Sequence, residues 1–270
     1  MANEYNLDFD GILEIALKGV RRSSVFMGLG VNAALDPSNS NYQLSHITRI
    51  QVIPDDAPQE ALEHFKEEFK IWIEACALRE ATESFALFLD ELHRACSVIH
   101  AVKGNGSMEE VSEKQSKFAK EGLPNKLNIL EQRFGVTSAH SGNLSLINRA
   151  RNCLTHRKGL VGLEDIRDQP KFTVAWRGLD LFVEEPDGTK SDLGEIPEGG
   201  LLLENGGFVG VEFVERSRTF DLGTMLSLSP RDLAEICWFL AKEAKTITNS
   251  AISYAQANGV VMNQVTQNKG

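Results

Sequence analysis

The chain has 270 residues, 42% hydrophobic and 24% charged, a globular balance that excludes disorder as the default. Its formal charge of −10 excludes a broadly basic, nucleic-acid-coating surface, though not a small basic site on an acidic body. No run of about 18 apolar residues occurs, so no membrane span is expected. The start, Met-Ala-Asn-Glu-Tyr-Asn-Leu-Asp, lacks the basic and apolar regions of a secretion signal, and the expected location is the cytoplasm. Cys76, Cys96, Cys153 and Cys237 lie far apart with no C-x-x-C pair, as reduced and largely buried thiols do.

In chain order, residues 1–57 carry weak signals. Ile12, Ile15, Ala16 and Val20 suit a short amphipathic helix, Asp36-Pro37-Ser38-Asn39 a loop, and the loosely alternating His46–Ile53 a strand. From Pro58 to Val102 there is no further Pro or Gly. Leu62, Phe65, Phe69, Trp72 and Cys76 recur at spacings of three and four; after a phase shift Phe85, Phe88, Leu92, Cys96 and Ile99 do the same. This predicts one long helix, or two end to end, with an apolar stripe that needs packing partners. Gly104-Asn105-Gly106 ends it. Shorter helices are expected over 108–121 and 124–134, and another from Ser141 to about Lys158, with Gly159 placed to stop it.

The pattern then changes. Phe172, Val174 and Trp176 alternate, as do Leu179, Leu181 and Val183, then Val209, Val211 and Phe213, with turns at Pro186-Asp187-Gly188 and Asn205-Gly206-Gly207. A small antiparallel sheet over 171–227 is expected. Ser229-Pro230-Arg231-Asp232 reads as a capping box with proline at the first helical position, opening a stripe of Leu233, Ile236, Cys237, Leu240, Ala244 and Ile247. The fold class is therefore mainly α with a β insertion (α+β). A helical bundle spans 58–160 plus 229–257, the sheet of 171–227 precedes the last helix, and 258–270 is a polar tail. The final helix is expected to meet the long one through Phe85, Phe88, Leu92, Leu233, Ile236 and Leu240.

Three patterns suggest sites and fail on spacing or context. His93, Cys96 and His100 share a helix face, but the two histidines lie about 10.5 Å apart along the axis, too far for one ion. Gly28-Leu29-Gly30-Val31-Asn32-Ala33 matches G-x-G-x-x-A, yet Pro37 cuts short the helix a dinucleotide site requires. Asp8-Phe9-Asp10 stands without a second acidic cluster. No metal site and no cofactor are expected.

The run Arg149-Ala150-Arg151-Asn152-Cys153-Leu154-Thr155-His156-Arg157-Lys158 is different. It puts four basic residues beside a histidine, with no acid before Glu164. Asn152 and His156, four apart, share a helix face, so Asn152 can orient the imidazole. Arg151 lies about 140° around a straight helix from His156 and joins it only where the helix ends or a second copy supplies the partner. Basic residues in a last helical turn also simply favour the negative end of the dipole.

Arg151, Asn152 and His156 match the R-N-x-x-x-H form of the HEPN superfamily signature, and the bundle with its motif near a helix end resembles that superfamily over roughly half the chain. The resemblance implies a metal-independent endoribonuclease of toxin–antitoxin or antiviral-defence systems. It would act on RNA as a homodimer with facing motifs, with an antitoxin or defence-complex protein as a further partner. His156 would be the general acid/base, Arg151 the phosphate stabiliser and Asn152 the orienting residue. Thr155, Arg157, Lys158 and Arg149 are weaker candidates for RNA contact. Imidazole titrates near neutral pH and guanidinium stays charged, which suits 2′-hydroxyl attack on phosphorus. The alternatives are a non-catalytic HEPN-like module that binds RNA or a nucleotide or serves dimerisation, and an interaction protein whose sheet is the recognition surface. An accessible Arg151–His156 pair favours catalysis; a buried or diverging pair favours a scaffold.

Overall fold

The computed structural model describes residues 6–38, 58–167, 169–194, 199–204 and 206–261. The strand expected over His46–Ile53 lies outside them. The first helix, α1 (Phe9–Leu35), is much longer than the short helix expected. Asp8 caps it, its Oδ1 accepting from the Gly11 amide at 2.8 Å, so the Asp8-Phe9-Asp10 pair marks a helix start.

The Gly28–Ala33 pattern lies inside α1 and serves packing. Helix α2 (Gln59–His100) runs antiparallel to α1, as the approaches Gly19–Ser84 and Gly30–Ile73 show. A Cβ on Gly19 would lie 2.0 Å from the Ser84 Cβ, so these backbones approach only because the side chain is absent.

At 42 residues α2 is about 63 Å long. Its two apolar stripes have different fates. Phe85, Phe88, Leu92, Cys96 and Ile99 are buried, whereas Phe65, Phe69 and Trp72 are exposed on the described surface, Trp72 at 58%. α2 is thus packed unevenly: its second stripe lies in the core, while the half that carries Phe65–Trp72 meets α1, as Gly30–Ile73 shows, and stays exposed among the described residues. A π-helical turn over Ala101–Asn105 ends it.

Helices α3 (Met108–Phe118) and α4 (Leu123–Phe134) follow, then α5 (Ser141–Arg157), which packs on α2 and α4. A single turn, α6 (Leu163–Ile166), leads into the sheet. Strands β1 (Phe172–Glu184), β2 (Lys190–Asp192) and β3 (Phe208–Phe220) form an antiparallel sheet in the order β2-β1-β3. β1 pairs with β3 without a break from Phe172↔Phe220 to Glu184↔Phe208. Phe172, Val174 and Trp176 enter the core, while Leu179, Leu181 and Val183 fall on the opposite face of the same strand because side chains alternate. The two alternating runs of the sequence are therefore one strand that changes apolar face as it leaves the bundle.

Helix α7 (Pro230–Ala257) closes the fold. Its capping box forms as expected: the Asp232 amide donates to Ser229 Oγ and the Ser229 amide to Asp232 Oδ2, both at 3.1 Å. Asp232 also takes Arg218 of β3, tying sheet to helix at 2.8 Å. α7 packs against α1, α2 and β1, and Phe85, Phe88, Leu92, Leu233, Ile236 and Leu240 all lie in one buried cluster. That cluster also takes Phe9, Ile12 and Ala16, so α1 belongs to the bundle. No helix among the described residues is long and apolar enough to cross a membrane.

Candidate functional site

The motif occupies the last turns of α5. The helix stops because Lys158 and Gly159 adopt left-handed backbone, φ 51° and 87°, and the Gly159 amide donates back to the Cys153 carbonyl at 3.1 Å. Gly159 is buried, its carbonyl accepting from the Leu226 amide at 2.8 Å, and Leu160 bridges to Met225. The motif therefore ends against the segment between β3 and α7, which fixes its direction.

Ile147, Ala150 and Cys153 turn into the core, leaving Thr155, His156 and Lys158 exposed. Burial, with Asp165 nearby, pushes the Cys153 thiol up to about 11, so it is no nucleophile. The His156 ring holds no hydrogen bond or ion pair within the described residues.

Arg151 is partly buried and held from two sides. Its Nη2 donates to Glu83 of α2 at 2.7 Å and its Nη1 to Asn152 Oδ1 at 3.0 Å. Its Nε is buried without an acceptor. The expected role of Asn152 is corrected here: its side-chain oxygen serves Arg151, not His156, because the guanidinium folds back along α5 to reach Glu83. Arg151 and His156, five residues apart on a helix that continues to Arg157, thus lie about 140° apart around α5, the arginine fixed and the imidazole without a partner among the described residues.

Two weaker candidates separate. Arg157 is committed inward: its Nε donates to the buried Asp165 at 3.0 Å, its Nη2 to the same carboxylate, and its Nη1 lies 3.1 Å from Glu164. It fastens α6 to α5 and is withdrawn as an RNA contact. Arg149 stacks on Phe172 at 5.3 Å; burial first, then Arg167, hold its guanidinium below the ordinary value. It is a cation beside a cation, with its Nε unsatisfied.

Sequence reasoning missed Glu83 and Asp165, the carboxylates that decide which arginines stay available. Asp165 lies only eight residues from Arg157, and the acids at 164–165 were a usable signal. Glu83 lies 68 residues from Arg151, where spacing carries no information. His93 is a core residue: Nδ1 lies 2.7 Å from Gln115 Oε1, Nε2 takes Arg133 at 3.1 Å, and the ring stacks on Phe118 at 3.9 Å. Among the described residues no group of three or more His, Cys, Asp or Glu side chains could hold a metal. Compared with known proteins, the chain matches no family model, no curated protein and no solved structure.

Proposed function

We propose that the chain is a metal-independent endoribonuclease of a toxin or antiviral-defence type that cleaves RNA through Arg151 and His156 as a homodimer. The observation that carries this reading is the exposed His156 imidazole, without a partner among the described residues, in the last turn of the helix on which Glu83 and Asn152 hold Arg151. In the reaction, His156 takes the proton of a ribose 2′-hydroxyl and the 2′-oxygen attacks phosphorus. The P–O5′ bond breaks, the 5′-oxygen takes a proton from an acid, and a 2′,3′-cyclic phosphate and a 5′-hydroxyl result. Arg151 offers its charge to the equatorial oxygens as their charge grows. A second copy, related by a two-fold axis, supplies the acid as its own His156.

The Arg151–Glu83 ion pair favours a second reading, a non-catalytic module that binds RNA or a nucleotide or serves dimerisation, because it partly neutralises Arg151 while Arg157, next to His156, is already committed to Asp165. Incubating the pure chain with total RNA in excess chelator separates them. Cleavage that His156→Ala and Arg151→Ala abolish, and that Glu83→Gln preserves or raises, supports the nuclease. No cleavage by the wild-type homodimer or by Glu83→Gln supports the module.

A further inference from the structure

The N-terminal end of α5 holds a second polar cluster, about 24 Å along the helix from His156. His140, immediately before α5, lies with Nδ1 2.9 Å from Oε1 of Glu243, a carboxylate of α7 that is 1% exposed. The other oxygen of Glu243 accepts from Ser138 Oγ at 2.6 Å. This buried carboxylate fixes the ring, with Nδ1 donating and Nε2 turned outward. Arg177 of β1 meets that Nε2 through Nη1 at 3.4 Å, too long for a strong bond.

Two cations share one aromatic wall here. Lys242 Nζ sits 3.2 Å from the centre of the Phe213 ring, and the Arg177 guanidinium carbon 5.3 Å from the same centre. Phe213 stacks on Trp238 at 5.5 Å and is 42% exposed. The Lys242 ammonium has no hydrogen bond or ion pair among the described residues, and the Arg177 Nε makes no hydrogen bond. Burial first and Arg177 second hold the Lys242 ammonium below its ordinary value, against the pull of Glu243. The facing acid is Glu215, whose Oε1 lies 3.4 Å from Arg177 Nε and whose Oε2 accepts from Asn143 Nδ2 at 3.4 Å; its side chain is 66% exposed. Glu243 is already committed to Ser138 and His140.

We propose that Arg177 and Lys242, the first placed beside His140, form a binding site for a nucleotide phosphate, with the Phe213–Trp238 pair beside it as a face for the base. A guanidinium fork and an ammonium point charge, two cations of different geometry, suit a tetrahedral oxyanion better than the two oxygens of a carboxylate. Cations interleaved with an exposed Phe213 and a half-buried Trp238 suit a single-stranded chain or a mononucleotide, whose bases stack without sequence preference. The site does not depend on cleavage at His156.

The full chain is titrated with a fluorescent 2′-O-methyl RNA 12-mer, which 2′-hydroxyl attack cannot cleave, and separately with AMP by calorimetry. Lys242→Gln and Arg177→Gln each weaken the 12-mer about tenfold and lower the slope of log affinity against log salt by about 0.7. Lys245→Gln, an exposed lysine on the same helix, stays within about twofold of wild type. If Arg177→Gln does not fold, Lys242→Gln, whose head group holds no hydrogen bond, carries the test. AMP binding that is lost in the same variants identifies a mononucleotide phosphate; 12-mer binding without AMP binding identifies the diester chain. Failure of both probes to bind, or variants no weaker than Lys245→Gln, overturns the site.

Discussion

Each end of α5 carries a histidine near an arginine, and the two ends are built on opposite plans. At the N-terminal end a buried carboxylate fixes the imidazole of His140, Arg177 meets its outer nitrogen, and Lys242 shares the Phe213 ring with Arg177. At the C-terminal end the imidazole of His156 is free and the arginine is the fixed partner, held by Glu83 and Asn152. A motif that is legible in sequence therefore sits at the less preorganised end, while the end without any motif has the more constrained geometry. A general acid/base that works in the monomer is normally oriented by a second group. His156 has none among the described residues, so a catalytic role for it implies that substrate or a second copy completes the site.

The comparison breaks most sharply on activity. His156→Ala lowers RNA cleavage by about 10²–10⁴-fold while changing stability by less than about 0.5 kcal/mol, since it leaves no partner behind. Urea denaturation beside the cleavage assay reads both. A variant that unfolds with its activity loss would make His156 structural.

Glu243→Leu inverts that pattern. It strands Ser138 and His140 at a buried position and costs about 2–4 kcal/mol by urea denaturation. A cost below about 0.5 kcal/mol would mean that the carboxylate does not hold His140.

His93 extends the contrast to a histidine with no carboxylate at all. Burial first, then Arg133 and Lys126 against the Gln115 hydrogen bond, brings its pKa from 6.5 down to about 4. Between those values the unfolded chain binds the proton and the folded chain does not, so stability falls as pH drops from about 6.5 to about 4. The loss is on the order of 3 kcal/mol by the lower limit. Urea midpoints measured across that window lose this slope in His93→Gln; an unchanged slope would place the titration elsewhere.

The smallest effect concerns thiols along α2 and α7. Burial pushes Cys96 and Cys237 up to about 12, and raises Cys76, on the half-exposed stretch of α2, against the pull of Arg79. A thiol reagent at neutral pH modifies Cys76 first and reaches Cys96 and Cys237 only on unfolding, as peptide mapping by mass spectrometry would read. Equal labelling of Cys76 and Cys96 would deny that α2 has one packed and one open half.

Periodicity and local chemistry were enough, without the tertiary structure, for the helical stripes of α2, α5 and α7, the Ser229–Asp232 capping box, the stop at Gly159 and the antiparallel insertion. Each of these depends on residues within a few positions of one another, where helix and strand geometry dictates which side chains meet. Spacing also places Asn152 and His156 on one face, but it could not say that Arg151 claims the Asn152 oxygen. The tertiary structure alone decided that the Phe65–Trp72 stripe stays exposed among the described residues, because a stripe records which residues share a face and not what lies opposite. The same holds for charge. Glu83 reaches Arg151 across 68 residues and Glu243 reaches His140 across 103, and only the packing of α2 against α5 and of α7 beside the start of α5 brings those carboxylates to bear.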